Sequence, residues 1–203
     1  MVIAYNPLDL ANLAETVQRK FDEQKLTNLS KLERLEGAGV YALYYAGDFS
    51  LYKSMSRVNR RKRGSKAIYV GEAGRQARRK GAELNRKETA AIYARLRQHA
   101  ESIEAVKNLR VEDFWFRYLP IESLFVPLCE RMLISTHKPL WNLHLEGFGN
   151  RVVGKERTRQ QITPWDLLHP GREKRATQKN KRFPTKALLE EYIKKALAEE
   201  RSD

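Results

Sequence analysis

Apolar residues recur along this chain in two rhythms, one helical and one extended. Leu10, Leu13, Val17 and Phe21 fall three and four apart in LDLANLAETVQRKFDEQKL, the repeat of a single helical face. With Pro7 near its start and Gly37 and Gly39 at its end, the pattern predicts a helix over 7–36. Two runs then read as buried strands, 38–46 (AGVYALYYA) and 67–71 (AIYVG), because aromatic and β-branched residues dominate both. Helical spacing returns from about residue 88 to 106 through Ile92, Leu96, Ile103 and Val106, and 113–119 (DFWFRYL) alternates as a third strand. A helix over 122–136 is expected to turn Leu124, Leu128, Met132 and Leu133 to the core. It closes at Lys138-Pro139, because proline disfavours helix in the residue before it. A last helix, 186–200, carries Leu188, Leu189, Ile193 and Leu197 on one face.

The polar stretches between these elements are strongly basic. Residues 57–66 (RVNRRKRGSK) hold six basic residues and no acid, which suits a phosphate-contacting loop better than a simple hairpin turn. A second basic stretch follows Gly74. Residues 151–182 hold ten Lys and Arg against three acids with few apolar positions, as a docking arm or a partly disordered tail would. Over 203 residues, 39 Lys and Arg face 25 Asp and Glu, a net charge of +14 that favours a polyanion: nucleic acid first, an anionic membrane surface second. The single cysteine, Cys129, excludes an intrachain disulfide and a cysteine zinc site and reads as a small buried hydrophobe. No signal-peptide pattern opens the sequence and no apolar stretch nears the roughly 18 residues of a membrane span, so a soluble cytoplasmic protein is expected.

The chemistry-bearing residues are spread along this framework. Tyr41 and Tyr69 sit on the two first strands, each near a glycine, Gly39 or Gly71, that leaves room for a close approach. Tyr44 and Tyr45 read as core. Arg95 and His99, at i and i+4, project from one helical face away from the stripe through Leu96 and Ile103, while Arg97 points to solvent or substrate. Glu130 lies on a helix that leans into the core, where a carboxylate needs a partner: an arginine, or a Mg²⁺ ion that takes one or two carboxylates and keeps several waters. Glu122 reads as a helix-start residue. Asn142 either satisfies its own loop or holds that loop in register. His137, Asn142 and His144 spell a His-Asn-His order, but their spacing is too short for the ββα metal site that order belongs to.

Taken in order, Gly39-Val40-Tyr41, Ile68-Tyr69-Val70-Gly71, Arg95, His99, Glu130 and Asn142 resemble the GIY-YIG nuclease family, and within it the type II restriction endonucleases. The resemblance covers residues 38–143. It implies an α+β fold, a small three-stranded antiparallel sheet flanked by helices, with both tyrosines facing a metal site. It places Tyr41, Tyr69, Arg95, His99, Glu130 and Asn142 in the catalytic centre, with Mg²⁺ or Mn²⁺ held by Glu130. It further implies double-stranded DNA as substrate, a homodimer on a palindromic site, and a prokaryotic cytoplasm. The chain departs from compact members in basic insertions at about 47–66 and 75–89, and in Glu72, where many members have a small or neutral residue. Arg57, Arg60, Arg61, Lys62, Arg63, Lys66, Arg75, Arg78 and Arg79 in those insertions are the expected DNA contacts, since bidentate arginines read guanine edges. The expected organisation is an N-terminal helical arm (1–37), the nuclease core (38–150), and a basic segment with a C-terminal helix (151–203). The terminal helices are the candidates for the dimer contact. A structure-specific repair or mobile-element nuclease and a non-catalytic basic binding module are the alternatives.

Overall fold

The computed structural model describes residues 9–74, 90–149, 161–172 and 178–199. Helix α1 (Leu10–Asp22) starts where the Asp9 side chain accepts from the Ala11 amide at 3.0 Å, and Arg19 and Lys20 favour its negative end. The helix expected to run on to residue 36 stops at Asp22. Thr27–Asn28 form a short strand, β1, and the Asn28 side chain accepts from the Ser30 amide (3.0 Å) and donates to the Glu112 carbonyl (2.8 Å). Local side-chain bonds of this kind compete with helix, and a periodicity of apolar residues does not register them.

Strands β2 (Gly39–Tyr45), β3 (Ala67–Ala73) and β4 (Phe114–Pro120) with β1 make an antiparallel sheet in the order β1-β4-β2-β3. The three expected strands are therefore joined by a fourth, two-residue edge piece. Every residue of the central β2 is buried, as a run of apolar residues on both faces requires. At Gly39 a Cβ would strike the Leu119 carbonyl, so only glycine lets β4 pair this closely. Two apolar layers cover the sheet. Val40, Ala42, Tyr44 and Val70 face Phe21 of α1 together with Val126, Cys129 and Leu133, and Tyr41, Leu43, Tyr45 and Tyr69 face the larger layer.

Half of the basic stretch at 57–66 is helix: α2 spans Lys53–Arg61. Its buried face is Met55, Ser56 and Asn59, and two of those three are polar, which conceals the pattern in the sequence. Ser56 donates to the Gly47 carbonyl at 2.6 Å. Asn59 donates to the carbonyls of Tyr45 and Lys66 and accepts from the Lys66 amide, each at 2.9 Å, joining the end of β2 to the start of β3.

Helix α3 (Ala91–Glu104) buries Ile92, Leu96, His99 and Ile103. Helix α4 (Val126–His137) begins later than expected and buries Val126, Cys129, Met132 and Leu133, whereas Leu124 and Leu128 are 59% and 38% exposed. Met132 and Leu133 face the core as expected, while Val126 and Cys129 take the places expected of Leu124 and Leu128. Lys138 ends the helix in the left-handed region (φ 43°), followed by Pro139 and the single turn α5 (Leu140–Leu143). Residues 161–172 are no loose tail. Thr163 caps α6 (Pro164–Leu168), and Trp165, Leu168 and His169 are buried in the larger layer with Leu189, Ile193 and Leu197 of α7 (Lys186–Glu199), while Leu188 faces outward. Among the described residues no helix is long and apolar enough to cross a membrane.

A buried polar chain ties this C-terminal part to the core. Trp141 Nε1 donates to the Tyr52 hydroxyl (3.0 Å), Tyr52 lies 2.7 Å from His169 Nε2, and His169 Nδ1 lies 3.1 Å from Asn108 Oδ1. Burial lowers the His169 pKa to about 3, with Lys186 and Arg172 adding to the effect. Because the folded pKa lies below the unfolded value of about 6.5, the unfolded chain binds the proton first and stability is lost as pH falls below that value. His169 alone should withdraw about 2 kcal/mol between pH 7 and pH 5. Urea unfolding at the two pH values should show this loss in the wild type and a pH dependence smaller by that amount in His169→Gln.

Candidate active site

The site grows from one cross-strand pair. Tyr41 of β2 lies opposite Gly71 of β3, and Tyr69 stands two residues earlier on the same face. A Cβ at Gly71 would lie 2.5 Å from the Tyr41 hydroxyl oxygen, 2.7 Å from its Cζ and 2.9 Å from Tyr69 Cε1. The space that glycine leaves is filled by the two phenol rings, whose centroids are 6.3 Å apart. β3 is an edge strand, and its register is held from the open side. Asn142 on α5 accepts from the Val70 amide and donates to the Val70 carbonyl, both at 2.8 Å, as a neighbouring strand would. Asn142 therefore bonds the strand and not its own loop.

Helix α3 lies across these rings. His99, buried, places Nε2 2.7 Å from the Tyr41 hydroxyl, and its ring contacts Tyr69 edge-on at 5.1 Å. Burial, then Arg95 and Arg172, push the His99 pKa well below the ordinary value, which favours a neutral ring hydrogen-bonded to the Tyr41 hydroxyl through Nε2. Arg95, one turn earlier, donates to Gln98 Oε1 (3.1 Å) and to the Gly149 carbonyl. Arg97 is exposed and pairs with Glu101 at 2.9 Å.

Burial raises the pKa of Tyr41 well above that of a free phenol, with Tyr69 adding to it and Arg95 opposing. Tyr69 is raised too, by burial first and again against Arg95. The Glu130 charge raises both, which places this half-buried carboxylate within electrostatic reach of the two hydroxyls. Here are one cation, one anion, two protonated phenols and a neutral imidazole. The oxygen donors fit a hard cation that takes one carboxylate and fills its remaining positions with water and phosphate oxygens. Among the described residues no three of His, Cys, Asp or Glu come together as a closed metal cage. His137 packs on Phe21 and His144 lies 3.1 Å from the Tyr192 hydroxyl, so the His-Asn-His order has no structural counterpart.

The expected DNA contacts divide. Arg57 in the middle of α2 and Arg61 and Lys62 at its end are exposed. Arg60 pairs with Asp48 at 2.6 Å and donates to the Ala46 carbonyl (2.7 Å), and Arg63 lies over the Trp115 ring at 4.1 Å. Lys66 is bonded by Asn59 through its backbone. Arg75, Arg78 and Arg79 lie outside the described residues. What the sequence reading missed is the loop Gly147-Phe148-Gly149. Phe148 stacks on His99 (4.4 Å, 17°), and a Cβ at Gly149 would strike the Tyr69 hydroxyl. Two glycines flanking an aromatic residue were the available signal.

Gly71→Ala should lower stability by about 1–3 kcal/mol, the usual cost of overpacking, and should displace the tyrosine signals in NMR spectra. Unchanged tyrosine signals would mean that the rings do not depend on this gap.

The Eco29kI GIY-YIG domain matches residues 33–197, a span that takes in β2, β3, β4, α3, α4 and most of α7. No curated protein matches the chain. The matched span covers most of the sequence, so the chain belongs to the Eco29kI GIY-YIG family, a type II restriction-endonuclease domain, and is a nuclease.

Proposed function

We propose that this nuclease is a sequence-specific type II DNA endonuclease that uses a single divalent metal, Mg²⁺ or Mn²⁺. One observation carries the reading: Tyr41, Tyr69, Arg95 and His99, far apart in sequence, meet beside β3 with the Glu130 charge acting on both phenols. Glu130 would hold the metal. A bound divalent ion supplies positive charge to the phosphate and to its departing oxygen. Arg95 keeps N–H groups for the phosphate beyond those given to Gly149 and Gln98, and opposes charge developing there.

Tyr41 is the general base. Its raised pKa argues against a standing phenolate, so it takes the proton of the attacking water as its own O–H passes to His99 Nε2. The negative charge of the arriving phosphate favours the imidazolium that results. Tyr69 is 8% exposed where Tyr41 is 0%, which favours Tyr69 as the second reading for the base. Asn142 and Gly71 hold the strand that aims both hydroxyls. Of the expected DNA contacts, Arg57, Arg61 and Lys62 are exposed and would face the DNA. One site per chain and two strands to cut imply a homodimer on a palindrome, with α1 and α7 as candidate contacts.

Long duplex DNA with Mg²⁺ should yield discrete fragments, and EDTA should abolish them. Glu130→Gln should bind DNA and cut at least about 100-fold more slowly, the scale of losing a principal charge contact in the transition state. A folded Glu130→Gln protein that cuts at the wild-type rate would refute the assignment. Retarded but intact DNA would favour a binding module, and cuts confined to junctions or flaps a structure-specific nuclease. Of Tyr41→Phe and Tyr69→Phe, the base is the one whose single-turnover rate falls further while binding is retained.

A further inference from the structure

Arg172 lies outside every motif recognised in the sequence, in a segment that reads there as a basic tail. It is almost wholly buried, at 4% side-chain exposure, against an Asp166 side chain at 2%, with Nε 2.6 Å from Asp166 Oδ1. Burying two charges is costly unless the geometry supplies further hydrogen bonds. The remaining donors supply them: Nη1 donates to the Phe148 carbonyl (3.2 Å) and Nη2 to the Gly147 carbonyl (3.1 Å), and the guanidinium lies over the Trp165 ring at 4.5 Å. Asp166 is oriented in turn by Thr163, whose hydroxyl donates to its other oxygen at 2.8 Å. The same loop is fixed twice more. The Trp165 amide donates to the Glu146 carbonyl (3.0 Å), and a Cβ at Gly147 would strike Thr163.

What this clamp holds is the wall of the active site. Phe148 lies flat on His99 and edge-on to Tyr69, with centroids 4.4 Å and 5.1 Å away, and the Gly149 carbonyl receives Arg95. Three of the chemistry-bearing side chains therefore rest on two consecutive residues, Phe148 and Gly149, and the buried arginine bonds Phe148 and its neighbour Gly147. We propose that Asp166 and Arg172 are positioning residues of the nuclease, acting through Phe148 to hold His99 against the Tyr41 hydroxyl. The inference rests on the functional reading given above for Tyr41 and His99.

Arg172 is well suited to this role because a planar guanidinium can serve one carboxylate and two carbonyls at once. A lysine keeps the charge but not the fork. Arg172→Lys and, independently, Phe148→Leu test the clamp. Each should bind DNA in EDTA within about twofold of wild type, cut at least tenfold more slowly in single turnover, and move the His99 ring signals in NMR of histidine-labelled protein. The double variant should lose little more than either single one, since both act on one contact. If Arg172→Lys fails to fold, Phe148→Leu decides by the same readouts. A folded variant with wild-type cleavage and unmoved His99 signals overturns the proposal, as does a loss of cleavage matched by an equal loss of binding. If the wild type itself cuts no DNA, the nuclease mechanism fails, and the His99 signals alone judge whether the clamp positions that ring.

Discussion

The arrangement depends on a side chain that is missing. Gly71 faces Tyr41 across the sheet, and the two phenol rings occupy the volume that any other residue would fill. From that pairing follow the parallel outlook of Tyr41 and Tyr69, the approach of His99 from α3, and the reach of Arg95. The constraint is one of register. A slip of β3 by one residue would turn Tyr69 to the opposite face of the sheet and put Val70 in its place. β3 is prevented from slipping on both edges, by β2 within the sheet and by the Asn142 amide outside it.

Burial does much of the chemical tuning. It keeps both tyrosines protonated and His99 neutral, so the ionised groups of the site are Arg95 and Glu130. Under the proposed function, such a site would gain its reactive charge distribution only when a phosphate and a cation enter, and the low dielectric around Tyr41 and His99 would strengthen each interaction made there. The larger apolar layer accommodates such polar groups because nearly every one is bonded in a chain. The Trp141–Tyr52–His169–Asn108 series and the Asp166–Arg172 pair both lie beside the site and tie the C-terminal segment to it.

Legibility in the sequence differed from element to element. The strands around Tyr41 and Tyr69 were plain because runs of aromatic and β-branched residues have few other fates in a soluble domain. Arg95 and His99 stood out because four-residue spacing places two side chains on one helical face whatever surrounds them. Helix α2 was hidden by its buried Ser56 and Asn59, which reach backbone carbonyls where apolar side chains would have betrayed a core face. In α4 Met132 and Leu133 were read correctly, but Leu124 and Leu128 continue their helical spacing as well as Val126 and Cys129 do. Only packing on the sheet selects between them.

The sequence by itself determined the nuclease family, the strands that bear the tyrosines, the helix that bears Arg95 and His99, and the strong positive charge. The family rests on the resemblance of motif residues in order over 38–143. The strands, the helix and the charge are properties of composition and of spacing within about ten residues, which local chemistry is sufficient to express. The tertiary structure alone decided that Gly71 seats two rings, that Asn142 serves as a strand edge, and that the basic segment after residue 160 folds back to place Arg172 on the loop beneath His99. Each of those depends on partners separated by tens of residues, and their meeting is set by the closure of the sheet and its two apolar layers and not by any pattern along the chain.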